Sequence, residues 1–302
     1  MLELLWKEVD ITYRLLIDNW LHFLVGYHSL LLPRLVLQPV SYNQSVEALC
    51  STLAFSLITA YQFEIAHQTI SPAEEDRLNK PHRPIPAGLL TIQQARRRWI
   101  LSWVFIPVVF QIYLNTEATI WACLTQAVTA FFYVWPAFNN FLCRNIFVAT
   151  ISFTLLRLIN VLYSSIAPEL SLSIWIEGAF CLWLATTVHI QEFRDVEGDR
   201  AANKRTLAVI LSERAMHWVK VLTAAYVVSI SVLVCWLVPQ YVSTSDQLVV
   251  WIGYLHLVAS VNLAVRLISS EDVPQSIYHY FYYLVLWSLI LLLEGAYYRS
   301  TR

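Results

Sequence analysis

Oxygen-bearing side chains recur at helical spacing in two separate stretches of the chain. In the first stretch, Glu64 and Gln68 are four residues apart and share one face of a helix, while Asp76 follows in the next loop. The second stretch carries three carboxylates at positions i, i+3 and i+7 of one helical face, namely Glu192, Asp195 and Asp199. Like charges at this spacing repel each other. A divalent cation would compensate them, and Mg²⁺ is typically held by a few carboxylates together with phosphate oxygens.

Each acidic stretch is followed by cations. Arg77, Lys80 and Arg83 recur at steps of three after the first stretch, among prolines that stiffen the backbone. Lys204 and Arg205 follow the second stretch. Mg²⁺-binding carboxylates beside cations are the combination needed for a diphosphate, because the metal bridges phosphate oxygens and the cations pair with the remaining anionic edges. The alternative for either stretch alone is a solvated charged loop, but two such stretches on one side of an apolar bundle favour the diphosphate site.

The rest of the sequence must position these groups, and its composition indicates a membrane. Of the 302 residues, 58% are hydrophobic and 14% are charged, and the mean hydropathy is +0.54. A typical soluble domain has about 25% charged residues. So apolar a chain, with a net charge of −1, excludes extended disorder and argues against nucleic-acid binding.

Nine apolar segments are each long enough to cross the roughly 30 Å core of a bilayer. They are 13–33, 47–67, 95–114, 118–136, 144–164, 173–193, 215–238, 247–268 and 276–297. The sequence therefore predicts one all-α domain over residues 1–302. We expect a polytopic membrane bundle of nine transmembrane helices around one central cavity, capped by two cytoplasmic loops.

The distribution of cations predicts which side of the membrane holds the chemistry. With nine segments, 16 of the 20 lysines and arginines lie near the N-terminus or the loops that follow even-numbered segments. Cytoplasmic loops carry the excess of positive charge. We therefore expect the N-terminus and both polar loops, 68–94 and 194–214, on the cytoplasmic side.

Three positions in or near the apolar segments each leave two interpretations open. Arg157, with Asn160 one turn away, lies within the fifth segment and either contacts the diphosphate or forms a buried ion pair. Arg144 begins that segment and either contacts the diphosphate or anchors the helix at the membrane interface. His189, near Glu192, is either an active-site base or a hydrogen-bonded histidine of the bundle.

These motifs resemble those of the UbiA superfamily of membrane prenyltransferases and related terpene cyclases. The stretch 195–200 (DVEGDR), followed by 204–206 (KRT), is similar to the second D-x-x-x-D motif of the superfamily and its downstream basic element. The run 79–88 (NKPHRPIPAG) resembles the segment that follows the first motif. The resemblance covers the whole chain and implies nine membrane helices, with polar loops after the second and the sixth.

The first motif departs from the usual superfamily pattern N-D-x-x-D-x-x-x-D. When the N-K-P run is aligned, Asp76 occupies the position of the last aspartate. Gln68, Thr69 and Pro72 stand where an asparagine and two aspartates are usual. Glu64, one turn before Gln68, can supply a missing oxygen ligand. This altered motif looks like that of the fungal UbiA-type membrane terpene cyclases, which cyclise farnesyl diphosphate without a second substrate.

The resemblance implies a class I mechanism, in which Mg²⁺ promotes loss of diphosphate from a prenyl substrate and leaves an allylic carbocation. The expected catalytic residues are Asp76, Asp195 and Asp199. The expected metal ligands are Glu64, Gln68, Asp76, Glu192, Asp195 and Asp199. The expected substrate-binding residues are Arg77, Lys80, Arg83, Arg144, Arg157, Asn160, Lys204 and Arg205.

Two other functions compete with the cyclase. A prenyltransferase would use nearly the same polar residues to move the prenyl group onto an aromatic or lipid acceptor, and only the departure in the first motif separates it from a cyclase. A transporter or receptor fits less well, because transporter sites lie near the midplane of the membrane. The expected partners are a prenyl diphosphate and the lipid bilayer. The fungal resemblance implies the endoplasmic reticulum membrane.

Overall fold

The computed structural model describes residues 2–70, 76–78, 80–134, 140–193, 196–241, 247–269 and 276–300. The principal elements within these ranges are helices, and one isolated bridge joins Asn140 to Arg205. The α-helices are α1 (Leu2–Leu16), α2 (Trp20–Leu37), α3 (Tyr42–Ile70), α4 (Ile92–Tyr113), α5 (Thr116–Val134), α6 (Phe141–Ile166), α7 (Ile174–Thr187), α8 (Val196–Ala201), α9 (Leu207–Ile210), α10 (Glu213–Tyr241), α11 (Gln247–Ile268) and α12 (Ser276–Ser300). Two 3₁₀ turns, Pro168–Leu170 and Val188–Phe193, flank α7. The predicted all-α class is confirmed.

Each predicted apolar segment overlaps a long helix in the described part of the chain, but the first predicted segment has the wrong limits. The segment expected over 13–33 is divided, because α1 ends at Leu16 and α2 begins at Trp20. Asp18 and Asn19 form the turn between the two helices, where the backbone N–H of Asn19 donates to the carbonyl of Leu16 at 3.0 Å. These polar residues are drawn into contacts with the first polar loop, described below.

Five helical segments of the described chain are long and apolar enough to cross a membrane. They are Tyr42–Thr69, Phe141–Ile166, Pro168–Phe193, Glu213–Val238 and Val249–Ile268. A shorter apolar helix covers Phe281–Tyr297. Several candidate membrane-spanning helices are therefore present in the described chain, whereas the full count of nine and the cytoplasmic position of the loops stay predictions.

Helices that follow one another in the chain pack against one another. This holds for each step from α2 to α7, and α12 closes the arrangement by packing on both α2 and α7. α10 and α11 pack against α12, and α3 also contacts α6. A buried ion pair between Arg34 of α2 and Glu294 of α12 lies at the closure. The same packing brings the end of α3 close to the start of α6 and the end of α7, where the polar loops begin.

α1 is an amphipathic helix that packs against α3. Ile11 on its inner face belongs to the same buried apolar cluster as Ile65 of α3, whereas Trp6 on its outer face is exposed. Glu8 accepts two hydrogen bonds of 2.7 Å from the guanidinium of Arg98 in α4. α1 is therefore fixed to α3 and α4 immediately before the turn that leads into α2.

Candidate active site

A single buried arginine organises the first polar stretch. Arg83 is 1% exposed, and its guanidinium faces three carboxylates. Its Nε donates to Asp18 at 2.9 Å, its Nη2 donates to Glu64 at 3.0 Å, and its Nη1 lies 3.4 Å from Asp76. The three acids come from the turn before α2, from α3 and from the loop after α3. Charge-assisted hydrogen bonds to the planar guanidinium therefore hold these three parts of the chain together.

Sequence reasoning did not assign Asp18 and Asn19 to this site. The Asn19 side-chain amide donates to Glu64, and the His82 Nε2 lies 2.9 Å from Asp18. Burial alone would raise the pKa of Asp18, but the charges of Arg83 and a nearby lysine outweigh it and hold the pKa below its ordinary value. A usable signal was present in the sequence, because two adjacent polar residues interrupt an otherwise apolar segment.

Gln68 connects the first loop to α3. Its Nε2 donates to Asp76 at 2.5 Å, and its Oε1 accepts from the backbone N–H of Ile85 at 3.3 Å. Glu64 and Gln68 thus project from one helix face, as their spacing requires, and Asp76 folds back onto it. Residues 71–75 and Asn79, which include the altered position Pro72, lie outside the described residues.

The second polar stretch forms a compact group where α7 ends. Glu192 and Asp199 are 0% and 1% exposed. One guanidinium nitrogen of Arg144 lies 3.5 Å from Glu192 and 4.0 Å from Asp199, so that both carboxylates border the same cation. Lys204 Nζ lies 3.3 Å from Asp199. Asp195, the third acid predicted on this face, lies outside the described residues.

Backbone contacts hold the second loop against the start of α6. Arg205 forms the isolated bridge with Asn140, and its carbonyl accepts from the N–H of Phe141 at 3.2 Å. Asn203 has a φ of 53°, a left-handed conformation that asparagine tolerates, and this turns the chain back after α8. Arg144, one turn into α6, is thereby brought beside the acids of the second stretch.

His67, near the end of α3, belongs to the first polar group. Arg83 Nη1 donates to His67 Nδ1 at 3.0 Å. Phe63, one turn before His67, and Phe147, one turn after Arg144, stack with their ring centroids 6.5 Å apart, so the end of α3 lies beside the start of α6. Two stretches that are far apart in the sequence therefore lie side by side at one end of the bundle. Sequence reasoning gave His67 no role.

Three of the predicted substrate-binding cations lie at the edge of this site. Arg77 and Arg205 are exposed, and Lys80 is half-buried. Long cationic side chains at a rim can reach an anion bound beside them. Phosphate binding by these three residues stays a prediction.

Arg157 and Asn160 are engaged elsewhere in the bundle. Arg157 Nη1 lies 3.2 Å from Glu177, and its guanidinium lies 5.7 Å from the ring centroid of Trp121. Asn160 accepts from the backbone N–H of Leu172 at 2.6 Å and so fixes the connection between α6 and α7. At 1.5 Å per residue, Arg157 lies about 24 Å along α6 from the start of the helix. Sequence analysis left Arg157 with two interpretations, and the structure shows the ion pair. Diphosphate binding by Arg157 or Asn160 stays a prediction.

His189 is hydrogen-bonded within the bundle. Its Nε2 lies 2.9 Å from the hydroxyl of Thr223, and its ring centroid lies 5.9 Å from that of Phe193. Of the two interpretations that the sequence left open for His189, an active-site base or a hydrogen-bonded histidine of the bundle, the structure shows the hydrogen bond.

The donor set of the second group suits a hard divalent cation. Glu192 and Asp199 both present carboxylate oxygens to one guanidinium. Mg²⁺ favours one or two carboxylates completed by phosphate oxygens and water, rather than an all-protein cage. In the part of the chain that the structure describes, no three His, Cys, Asp or Glu side chains form such a cage. Glu64 and Asp76 are bound to Arg83, so metal binding by these two residues and by Gln68 stays a prediction.

Comparison with known proteins decides the family. Residues 70–290, well over half of the chain, match the UbiA prenyltransferase family. The chain belongs to the UbiA family. The matched range contains the second polar loop and all but the first two residues of the first, and the resemblance predicted from the motifs is confirmed.

Fungal relatives of this UbiA-family chain include both kinds of enzyme. It is 34% identical over 162 residues to the polyprenyl transferase eriF of Hericium erinaceus, covering 53% of this chain and 54% of eriF. It is 31% identical over 156 residues to the diterpene cyclase eriG of the same fungus, covering 51% of this chain and 48% of eriG. The chain thus matches about half the length of these relatives.

A bacterial relative is matched over a longer range. The somaliensene A/B synthase of Streptomyces somaliensis is 23% identical over 209 residues, which cover 69% of this chain and 68% of the synthase. No solved structure gives a significant match. The names of the UbiA relatives agree with a membrane enzyme of isoprenoid metabolism, and they include both a transferase and a cyclase.

Proposed function

We propose that this UbiA-family chain is a Mg²⁺-dependent membrane terpene cyclase of class I. It ionises a prenyl diphosphate, with farnesyl diphosphate as the first candidate, and cyclises the carbocation to a sesquiterpene. The observation that carries this proposal is that the end of α3, which holds the first polar group, packs beside the start of α6, which holds Arg144 of the second group, at one end of an apolar helical bundle. Such an end can hold a charged diphosphate while the prenyl chain extends among apolar side chains.

The second polar group is the proposed binding site of the diphosphate. Glu192, Asp199 and, outside the described residues, Asp195 would hold Mg²⁺, which when bound neutralises charge on the leaving diphosphate. Arg144 and Lys204 would exchange carboxylate partners for diphosphate oxygens when the substrate binds. Ionisation breaks the bond between the allylic carbon and the bridging oxygen, and the electron pair leaves with the diphosphate. Stabilising that developing charge is the main requirement of the reaction.

The first polar group would position the loop that faces the diphosphate. Arg83 is enclosed by three carboxylates, so contact with a diphosphate would require it to give up one of them. We therefore assign Arg83 a positioning role. Arg77 and Lys80, which flank this buried cluster, would supply the cations that close over the diphosphate.

Aromatic side chains extend from the site into the bundle. The Phe63 ring centroid lies 6.4 Å from that of His67, 6.5 Å from that of Phe147 and 6.0 Å from that of Phe23. Tyr27 continues the series, with its ring 6.1 Å from Phe23. Such walls exclude water, and each aromatic face stabilises a desolvated cation by about 0.5–2 kcal/mol. We propose that the prenyl chain lies against these rings.

The second candidate function is a prenyltransferase that joins the prenyl group to an aromatic or lipid acceptor. The specific observation in its favour is the 34% identity with the polyprenyl transferase eriF. The departure of the first motif supports the cyclase instead. Gln68 takes the place of an asparagine and donates to Asp76, and Glu64 and Asp76 are both engaged by Arg83.

The test uses purified protein in lipid nanodiscs with Mg²⁺ and farnesyl or geranylgeranyl diphosphate. Diphosphate release and a cyclic product without any acceptor support the cyclase. Release that requires an added phenolic or lipid acceptor supports the prenyltransferase. Absence of release with either substrate, alone or with an acceptor, contradicts both proposals.

We also propose that the chain resides in the endoplasmic reticulum membrane, with its N-terminus and both polar loops in the cytoplasm. The excess of cations beside these loops supports this orientation. In microsomes, a cysteine introduced as Arg77→Cys should react with a membrane-impermeant maleimide added from outside. Protection of that cysteine until the vesicles are opened would contradict the orientation.

A further inference from the structure

A polar pocket lies beside the ionic site, between α3, α4, α5 and α6. Two glutamines, Gln62 of α3 and Gln126 of α5, line this pocket, and Phe63 forms part of its wall. Among the described residues that line it, none carries a charge. The pocket is therefore chemically distinct from the carboxylates and cations at the end of α3.

The side-chain amides of Gln62 and Gln126 are buried, and three of their polar atoms have no hydrogen-bond partner within the described chain. Gln126 is 1% exposed, and within the described chain neither its Nε2 nor its Oε1 has a hydrogen-bond partner. Gln62 is 7% exposed, and its Nε2 is likewise without a partner there. A buried amide normally finds a partner, because leaving it unpaired in an apolar interior costs free energy. The two side chains together offer two amide donors and one amide acceptor to a ligand.

Three threonines complete the lining with further acceptors. Each hydroxyl donates to a carbonyl of its own helix, at 2.8 Å for Thr59, 2.9 Å for Thr125 and 2.8 Å for Thr129. Each hydroxyl oxygen has two lone pairs, so even Thr125, whose Oγ1 also lies 3.0 Å from that of Thr154, keeps an acceptor site. A pocket that both donates and accepts, and that carries no charge, suits a neutral hydroxyl oxygen. The space in it accommodates about one water molecule.

Phe63 separates this pocket from the ionic site. Its ring contacts His67 and Phe147 on the side of the ionic cluster, as described above, and it also lines the pocket. Gln62 immediately precedes it in α3. A water held by Gln62 and Gln126 therefore lies next to the aromatic wall along which the prenyl chain is proposed to extend.

We propose that the pocket formed by Gln62 and Gln126 binds one water molecule and delivers it to the carbocation, so that the product is a terpene alcohol. This inference rests on the proposed cyclase function. A lone pair of the water oxygen forms a C–O bond with the cationic carbon, and the resulting oxonium loses a proton to the released diphosphate. The balance is one prenyl diphosphate and one water giving one terpene alcohol and one protonated diphosphate. Gln126 orients the water because its Oε1 accepts a hydrogen bond from one of the O–H groups of the water.

The experiment is product analysis in water enriched in ¹⁸O. Wild-type protein in nanodiscs, with Mg²⁺ and a prenyl diphosphate, should yield a cyclic alcohol that carries ¹⁸O. Gln126→Met and Gln62→Met keep the side-chain volume and remove the amide. They should still release diphosphate, while the ratio of alcohol to hydrocarbon falls about tenfold, as expected for the loss of one hydrogen bond. Asn262→Leu is the matched control, because it removes an exposed amide from α11, and it should leave the ratio unchanged.

Four results would overturn the inference. Diphosphate release with only hydrocarbon products, or an unchanged alcohol ratio in Gln126→Met, would remove the water-delivery role while leaving the cyclase intact. A product that carries the oxygen of an added organic acceptor would assign the pocket to that acceptor's hydroxyl instead of water. Absence of diphosphate release by wild-type protein would overturn the proposed function itself, and the inference with it.

Discussion

Replacing Arg83 by methionine should destabilise the protein more than almost any other single substitution near the site. Arg83 and Glu64 are each 1% exposed, and Asp76 and Asp18 lie against the same guanidinium. Methionine fills a similar volume but leaves these carboxylates without their shared cation. Removing one partner of a buried ion pair costs about 3–5 kcal/mol, because the other charge stays buried and uncompensated. We expect the free energy of unfolding of Arg83→Met to fall by about that amount.

The assay is reversible unfolding in mixed detergent micelles, followed by circular dichroism. Arg97→Met is the matched control, since Arg97 is an exposed cation of α4 and should change the free energy of unfolding by at most about 0.5 kcal/mol. Adding Glu64→Gln to Arg83→Met should restore at least about 1 kcal/mol, because it removes one stranded charge. If Arg83→Met is as stable as Arg97→Met, or if the second substitution gives no recovery, Arg83 does not organise the first loop.

Three further predictions concern the acids of the second polar group, Arg157 of α6, and Asp18 of the first group. Glu192→Gln and Asp199→Asn should each raise the Mg²⁺ concentration for half-maximal diphosphate release at least about tenfold; an unchanged requirement would exclude them as ligands. Arg157→Met should lower the thermal midpoint, because Glu177 loses its partner, while leaving the Mg²⁺ requirement unchanged; a changed requirement would place Arg157 at the diphosphate. The pKa of Asp18 is lowered in the folded state, so its contribution to stability is present above its unfolded pKa of about 3.9 and is lost as pH falls through the lower folded value. Asp18→Asn should therefore flatten the loss of stability in the acid range, which unfolding measured from about pH 6 to pH 3 will show.

The sequence was sufficient for the fold class and for the acids that recur at helical spacing. Periodicity alone puts Glu64 and Gln68 on one face, and the structure joins both to the first loop. Composition and the length of the apolar segments predict a helical membrane protein, and these signals depend only on local sequence. The family resemblance, carried by the stretches around the two loops, was also available from the sequence.

Contacts between distant parts of the chain were not readable from the sequence. Arg83 is one of three cations at steps of three, and nothing local shows that it is the one enclosed by Asp18, Glu64 and Asp76. The pairing of Arg157 with Glu177 likewise depends on how two helices face each other. Such pairs are set by tertiary packing rather than by spacing along one helix.

The limits of the first membrane segment were wrong for a related reason. An apolar run interrupted by two polar residues can continue as one helix or divide into two, and the residues that bind Asp18 and Asn19 decide which. Their partners, Arg83 and Glu64, lie far along the chain. The division into α1 and α2 therefore follows from the polar cluster and not from hydropathy.

The central claim is that two polar groups at one end of the bundle ionise a prenyl diphosphate without help from an acceptor. The most direct test follows diphosphate release from farnesyl or geranylgeranyl diphosphate by purified protein, with no second substrate present. We predict release that depends on Mg²⁺, stops on chelation, needs at least about ten times more Mg²⁺ in Asp199→Asn, and is accompanied by a cyclic terpenoid. No release from either prenyl diphosphate, or release that begins only when an acceptor is added, would contradict this account.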